Sequence, residues 1–220
     1  MAAADGAGER GVFIALEGPE GSGKTTQVGL LASWLRDRGH DPVLTREPGG
    51  TAVGEEVRRV LLEADNVPAL SELLLILAAR AALVDEVIRP ALAAGRVVVT
   101  DRFHLSTLAY QAYGRGLPLA DVTAMNTFAT GALEPDLTIV LDLDAAAGAA
   151  RHAAAGRGPD RIERAGNEFH ARVAEAYRLL VQEDDRVERV DASAPEAVVH
   201  DAVIALLTRR CPETFSQAEC

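Results

Sequence analysis

Val12-Phe13-Ile14-Ala15-Leu16-Glu17-Gly18-Pro19-Glu20-Gly21-Ser22-Gly23-Lys24-Thr25-Thr26 is the stretch from which the rest of the chain is read. Gly18 to Thr25 fits G-x-x-x-x-G-K-[ST], the phosphate-binding loop or P-loop. An apolar run leads in over Val12 to Leu16. An amphipathic helical pattern follows, with Val28, Leu30, Leu31, Trp34 and Leu35 on one side. Strand, glycine loop and helix is the setting the motif requires. Glycines let the backbone approach a ligand closely, so the loop N–H groups converge on an anion. The N-terminus of the following helix adds partial positive charge. Lys24 is then placed to bridge the β- and γ-phosphates, and the Thr25 hydroxyl to ligate Mg²⁺.

Outward from the loop, short apolar runs alternate with helical patterns. Gly39 closes the first helix as a C-cap. Pro42 to Thr45 reads as a second strand delivering Arg46-Glu47-Pro48-Gly49-Gly50-Thr51, with Thr51 capping the next helix. That loop is either a tight turn with a solvated Arg46–Glu47 pair or a ligand contact at the carboxyl end of a strand. A long helix is expected over Ala69 to Ala94, apolar nearly all round, and therefore buried under the sheet on one side and against a second subunit on the other. Arg80 in it is either a structural arginine with an unseen partner or an arginine facing a ligand anion. Val97 to Thr100 is a fully apolar strand of the kind found inside parallel sheets. It ends at Asp101-Arg102, where a carboxylate beside a P-loop has the position that holds Mg²⁺ and its waters.

Ser106, Tyr110 and Gln111 lie at i, i+4 and i+5, so a helix brings them together. Hydroxyl, phenol and carboxamide suit a pyrimidine base and a sugar; an ordinary polar helix face is the plainer reading. Leu137 to Leu143 is the fourth strand and Asp144 to Ala155 an alanine-rich helix. Asp160 to Arg164 is expected to open another helix. The four arginines Arg151, Arg157, Arg161 and Arg164 stand among glycine and proline, either as a basic lid at about 148–164 that closes on a triphosphate or as a solvated hairpin. Helix over Phe169 to Leu180, a fifth strand over Arg186 to Asp191 and helix over Pro195 to Leu207 complete an α/β chain with a mainly parallel sheet.

The 220 residues, 48% apolar, suit one globular domain over 11–210, with a mobile tail at 1–10 and a frayed tail at 211–220. A formal charge of −11 argues against a general nucleic-acid or anionic-membrane binder. Two cysteines, Cys211 and Cys220, leave no disulfide framework and suit a reducing compartment. With no signal peptide or spanning segment in view, a cytoplasmic location is expected.

With these residues in hand, the chain resembles the bacterial thymidylate kinases of the P-loop nucleoside monophosphate kinase group over about Val12 to Leu207. The resemblance rests on four motifs in order: Glu17 to Gln27; Thr45 to Thr51; Asp101-Arg102-Phe103 with Ser106 and Ala109-Tyr110-Gln111; and Asp160-Arg161-Ile162-Glu163. It implies a three-layer fold with a five-stranded parallel sheet of order 2-3-1-4-5, a homodimer, and transfer of the ATP γ-phosphoryl group to dTMP in dTTP biosynthesis. By the same resemblance, Gly18, Pro19, Glu20, Gly21, Ser22, Gly23, Lys24, Thr25 and Thr26 hold ATP, and Thr25 and Asp101 hold Mg²⁺. Glu20 meets the sugar 3′-hydroxyl. Arg46, Arg80 and Arg102 clamp the acceptor phosphate. Ser106 and Gln111 read the thymine, and Tyr110 crowds the 2′-carbon. The implied catalytic residues are Lys24, Arg102 and a lid arginine, Arg151, Arg157 or Arg161.

Two positions depart from the family pattern. Ile76 stands where a phenylalanine usually stacks on thymine, and Ala112 and Tyr113 stand where glycines usually follow. An aliphatic contact packs the base without aromatic geometry, which leaves another pyrimidine deoxynucleotide open as the acceptor. Two further readings stand beside this one. A P-loop switch would hydrolyse ATP with no phosphate acceptor. A kinase acting on a hydroxyl would use Glu20 as its base.

Overall fold

A computed structural model describes residues 10–154 and 160–215. Residues 1–9, nearly all of the expected N-terminal tail, lie outside the described residues, as do 216–220. Five strands, β1 (Phe13–Glu17), β2 (Val43–Arg46), β3 (Val98–Asp101), β4 (Leu137–Asp142) and β5 (Val187–Asp191), form one sheet in the order β2-β3-β1-β4-β5. All neighbours are parallel, as the resemblance implied. β1 and β4 lie inside the sheet and are buried almost throughout, which is why they read as unbroken apolar runs. The edge strand β2 alternates between half-buried and exposed.

The helices lie on both faces. They are α1 (Lys24–Asp37), α2 (Ala52–Glu63), α3 (Ala69–Leu83), α4 (Arg89–Ala93), α5 (His104–Thr107), α6 (Leu119–Thr130), α7 (Ala145–Ala154), α8 (Asn167–Leu180), α9 (Glu196–Arg210) and α10 (Pro212–Phe215). Alternate residues of β1 feed opposite layers. Ile14 and Leu16 pack with Leu31 and Leu35 of α1 and Val203 and Leu207 of α9. Phe13 and Ala15 pack with Leu83 and Ile88 on the other face. The ladder sets Leu16 opposite Asp101 and Asp101 opposite Arg46. Three strands thus end level, and the loops that leave them converge on one edge.

Two expectations need correction and one needs refining. The single helix expected over Ala69 to Ala94 runs unbroken to Ala93 but is not regular: a π-helical turn at Val84–Ile88 joins α3 to α4, which carries Pro90 in its first turn. Pro90 has no N–H to donate, and just before it Arg89 N–H reaches back to Val84 O in the wider spacing. Asp160 to Arg164 does not open a helix. The Asp160 carboxylate accepts from the N–H groups of Ile162 and Glu163, and the Glu163 carboxylate accepts from Asp160 N–H. These local bonds compete with the helical ladder; only one 3₁₀ turn forms, at Glu163–Ala165, and α8 begins after Gly166. Pro212–Phe215 of the expected frayed tail forms α10, because Phe215 is buried edge-on against Trp34 and His40.

Candidate active site

The loop between β1 and α1 is shaped by close backbone packing. Gly21 has φ 72, and a Cβ there would lie 2.4 Å from Gly148 O; a Cβ on Gly148 would lie 2.2 Å from Glu20 O. Only a pair of glycines lets α7 rest directly on the loop. No acidic side chain occupies the first turn of α1, so its N-terminal partial charge is not cancelled there. Lys24 is buried, and its Nζ donates to Gly18 O at 3.0 Å and Pro19 O at 2.9 Å. Burial, with the Arg102 charge, pulls its pKa down to about 8 against the opposing pull of Glu20 and Asp101. Thr25 Oγ1 donates to Asp101 Oδ2 at 2.8 Å, which brings the loop hydroxyl and the strand-tip carboxylate together.

Arg102, with its backbone at φ 75, reaches the loop directly, its Nη1 donating to Gly18 O at 3.0 Å. A non-glycine residue held at such a φ costs about 1–2 kcal/mol. Bonds on both sides hold it: Arg102 N–H donates to Leu16 O, and Phe103 N–H to Glu17 Oε1 at 2.8 Å. Arg102 Nη2 donates to Glu20 Oε1 at 2.6 Å and to the Tyr110 hydroxyl at 3.1 Å. Its Nη1 donates to Ser106 Oγ at 3.1 Å and the Tyr177 hydroxyl at 3.2 Å. Burial pushes the Glu20 carboxyl up, but Arg102, Lys24 and the Tyr110 hydrogen bond outweigh it and hold the pKa at about 2. Burial raises the Tyr110 phenol far above its ordinary range, so it stays protonated.

Arg80 is 1% exposed and has a charged partner distant in sequence, Glu47. Its guanidinium donates to both Glu47 oxygens, to Thr107 Oγ1 at 2.8 Å, to Asn126 Oδ1 and to Phe103 O at 2.9 Å. All five of its donors are thereby engaged by the protein. Arg46 is the opposite case, an exposed side chain paired with Glu55 at 3.0 Å. Ile76 and Arg46 line the same cleft as Ser106, Tyr110 and Gln111.

The expected lid arginines part company. Arg151 lies on α7 beside the loop; its Nη2 donates to Ala192 O at 2.9 Å, and it lines the cleft. Arg161 turns elsewhere, donating to Leu61 O and to Glu72 Oε2, both at 2.7 Å. Arg157 lies outside the described residues. His152 Nε2 stands 3.2 Å from Glu163 Oε2.

Several side chains that shape the site were given no such role in the sequence, and Glu47, read there as half of a solvated pair with Arg46, is buried instead. Glu17, 0% exposed, accepts from Phe103 N–H, from Ser106 N–H and Oγ–H, and from the Tyr177 hydroxyl. Glu47 holds Arg80, and Glu72 holds Arg115 and Arg161. A carboxylate ending an apolar strand, as Glu17 does, or set among leucines, as Glu72 is, was the available signal, because such groups are rarely buried unless paired. Gly148, one glycine in an alanine run, carried a similar hint.

The cleft is continuous, about 860 Å³, from the loop to Gln111. A parallel sheet of this order, with a glycine-rich loop between β1 and α1 at its carboxyl edge, is the frame of the P-loop phosphotransferases. Comparison with known proteins agrees. Residues 16–203 match the family model described as thymidylate kinase. Thymidylate kinase of Desulfovibrio desulfuricans is 47% identical over 212 residues, covering 90% of this chain and 98% of that one. The enzyme of Pseudomonas putida is 50% identical over 199 residues, covering 89% and 96%. The crystal structure of thymidylate kinase from Ehrlichia chaffeensis superposes with a TM-score of 0.73 at 33% identity, covering 90% and 99%. The chain belongs to the thymidylate kinase family of nucleoside monophosphate kinases.

Proposed function

We propose that the chain transfers the γ-phosphoryl group of ATP to dTMP, giving dTDP. Family membership supplies the substrates; the observation that carries the reading is one cleft joining the P-loop to Ser106, Tyr110 and Gln111 past Arg102. ATP phosphates take the loop from Gly18 to Thr26, with Lys24 as point charge. Thr25 Oγ1 and Asp101 Oδ2 are hard oxygens at the loop mouth. Among the described residues no group of three or more His, Cys, Asp or Glu is placed to hold an ion. That donor set fits Mg²⁺, which takes one or two protein oxygens and completes its shell with phosphate and water. When bound, the ion neutralises charge on the phosphates.

On the acceptor side, Arg46 is exposed and able to turn, and no protein acceptor among the described residues engages Arg102 Nε. These two suit the acceptor phosphate. Arg80, with its donors engaged, adds fixed charge and holds the wall. Glu20 stays ionised with a pKa near 2 and accepts from the sugar 3′-hydroxyl. So weak a base does not suit phosphorylation of a bare hydroxyl. The dTMP phosphate is already anionic and needs no base; the residues' work is positioning and charge neutralisation. Arg151 stands closest to the loop of the described lid arginines and is assigned to the transferring phosphoryl group.

A homodimer is proposed from the apolar side chains left outside on neighbouring helices, Val53 and Val60 of α2, Leu70 and Leu74 of α3 and Phe128 of α6. Among the described residues no helix is long and apolar enough to cross a membrane, and the acidic, cysteine-poor composition suits the cytoplasm. The decisive assay is ADP release with and without dTMP. A rise of orders of magnitude is expected; release that ignores dTMP would leave only a nucleotide switch.

A further inference from the structure

Glu72 of α3 is 0% exposed and surrounded by donors. Its Oε1 accepts from Gln111 Nε2 at 2.8 Å and Arg115 Nε at 3.1 Å. Its Oε2 accepts from Arg115 Nη2 at 3.1 Å and Arg161 Nη2 at 2.7 Å. Burial alone would raise its pKa, but the bonds from Arg115, Gln111 and Arg161 outweigh it and hold the carboxyl below its ordinary value. An ionised carboxylate only accepts. The side-chain nitrogen of Gln111 must therefore face Glu72, since a rotated carboxamide would set oxygen against oxygen. Gln111 Oε1 is turned the other way, and no protein donor among the described residues engages it. Gln111 lines the cleft with Ser106 and Tyr110.

We propose that Glu72 is a positioning residue that fixes the Gln111 carboxamide with its oxygen toward the acceptor base, so that the site takes pyrimidines carrying an N3–H and turns away those whose N3 is a lone pair. The inference rests on the proposed function and on Gln111 meeting the base. Thymine offers N3–H to Gln111 Oε1. Cytosine would present a lone pair to a lone pair and leave both groups unpaired in a closed cleft. The aliphatic Ile76 packs against a base face and cannot tell these edges apart. Selection therefore falls on the Glu72–Gln111 pair, which lies in the wall shared by α3 and the segment after α5.

The test compares dTMP with 5-methyl-dCMP, which keeps the methyl group and changes the hydrogen-bonding edge. Wild type is expected to favour dTMP in kcat/KM by on the order of 10²-fold or more. Glu72→Gln, whose own amide can face either way, is expected to cut that ratio by about 10-fold. In a Gln111→Leu background the same substitution should leave the ratio unmoved. An unchanged ratio in Glu72→Gln, or an equal shift in both backgrounds, overturns the proposal. If Glu72→Gln does not fold, hydrogen exchange of the Gln111 side-chain amide in wild type decides, with Gln111→Leu giving the assignment. Protection with and without dTMP is expected; exchange as fast as a solvated carboxamide overturns the proposal. A wild-type protein that phosphorylates neither nucleotide overturns the underlying function instead.

Discussion

The two ends of the cleft are built on different plans. The donor end is one contiguous loop whose groups are mostly main chain, shaped by glycines and by α7 resting on it. The acceptor end is assembled from side chains on β1, β2, α3, the loop after β3, α5 and the segment after it, and α8, with three buried carboxylates, Glu17, Glu47 and Glu72, propping its hydroxyls, its arginines and Gln111. A main-chain site depends on local conformation and tolerates change around it. A side-chain site depends on long-range pairs, and removal of one member strands another inside the protein.

The largest contrast is expected in catalysis. Lys24→Met should lower turnover by roughly 10²-fold or more in an ADP-release assay while leaving the unfolding midpoint in urea nearly unchanged. Undiminished turnover would remove the donor end from the chemistry. Glu47→Ala should do the reverse kind of damage. It leaves the Arg80 charge buried and unpaired, and stability should fall by about 3 kcal/mol, roughly two powers of ten, in urea titration. A loss below 1 kcal/mol would mean that Arg80 finds water or another partner. Gly148→Ala should lower kcat/KM for ATP by about 10-fold, because the new methyl meets Glu20 O and pushes α7 off the loop. An unaltered value would show that this contact is slack. The smallest effect is in pH. Lys24 is charged below its pKa of about 8 and neutral above it. Hence kcat/KM for ATP should fall to about half its plateau near pH 8 and decline further as pH rises. A profile flat through pH 9 would place the Lys24 ammonium in a wetter setting than its burial indicates.

The same contrast explains what could be read from the sequence. The P-loop lies in a single run and the inner strands β1 and β4 are mostly apolar, so the donor end and the sheet were legible. The partners of the acceptor end are separated by long stretches of chain. Tyr177 bonds Glu17 across 160 residues, and Arg161 bonds Glu72 across 89. No periodicity or motif reports such a pair. Arg80 illustrates the limit: its place in an apolar helix left open an unseen partner or a ligand anion, and the partner, Glu47, lies 33 residues earlier. Local chemistry overrode pattern at the Asp160–Glu163 turn, where the expected helix does not form, and left a π turn ahead of Pro90 in the long helix.

At Arg102 the chain keeps a bulky cation in a backbone shape that glycine would adopt freely. Truncating that side chain separates two quantities normally confounded, the worth of the cation and the toll of its main-chain twist. Glycine at 102 should yield a sturdier protein than alanine by about 1 kcal/mol, inverting their ordinary ranking, while both lose the grip on dTMP alike.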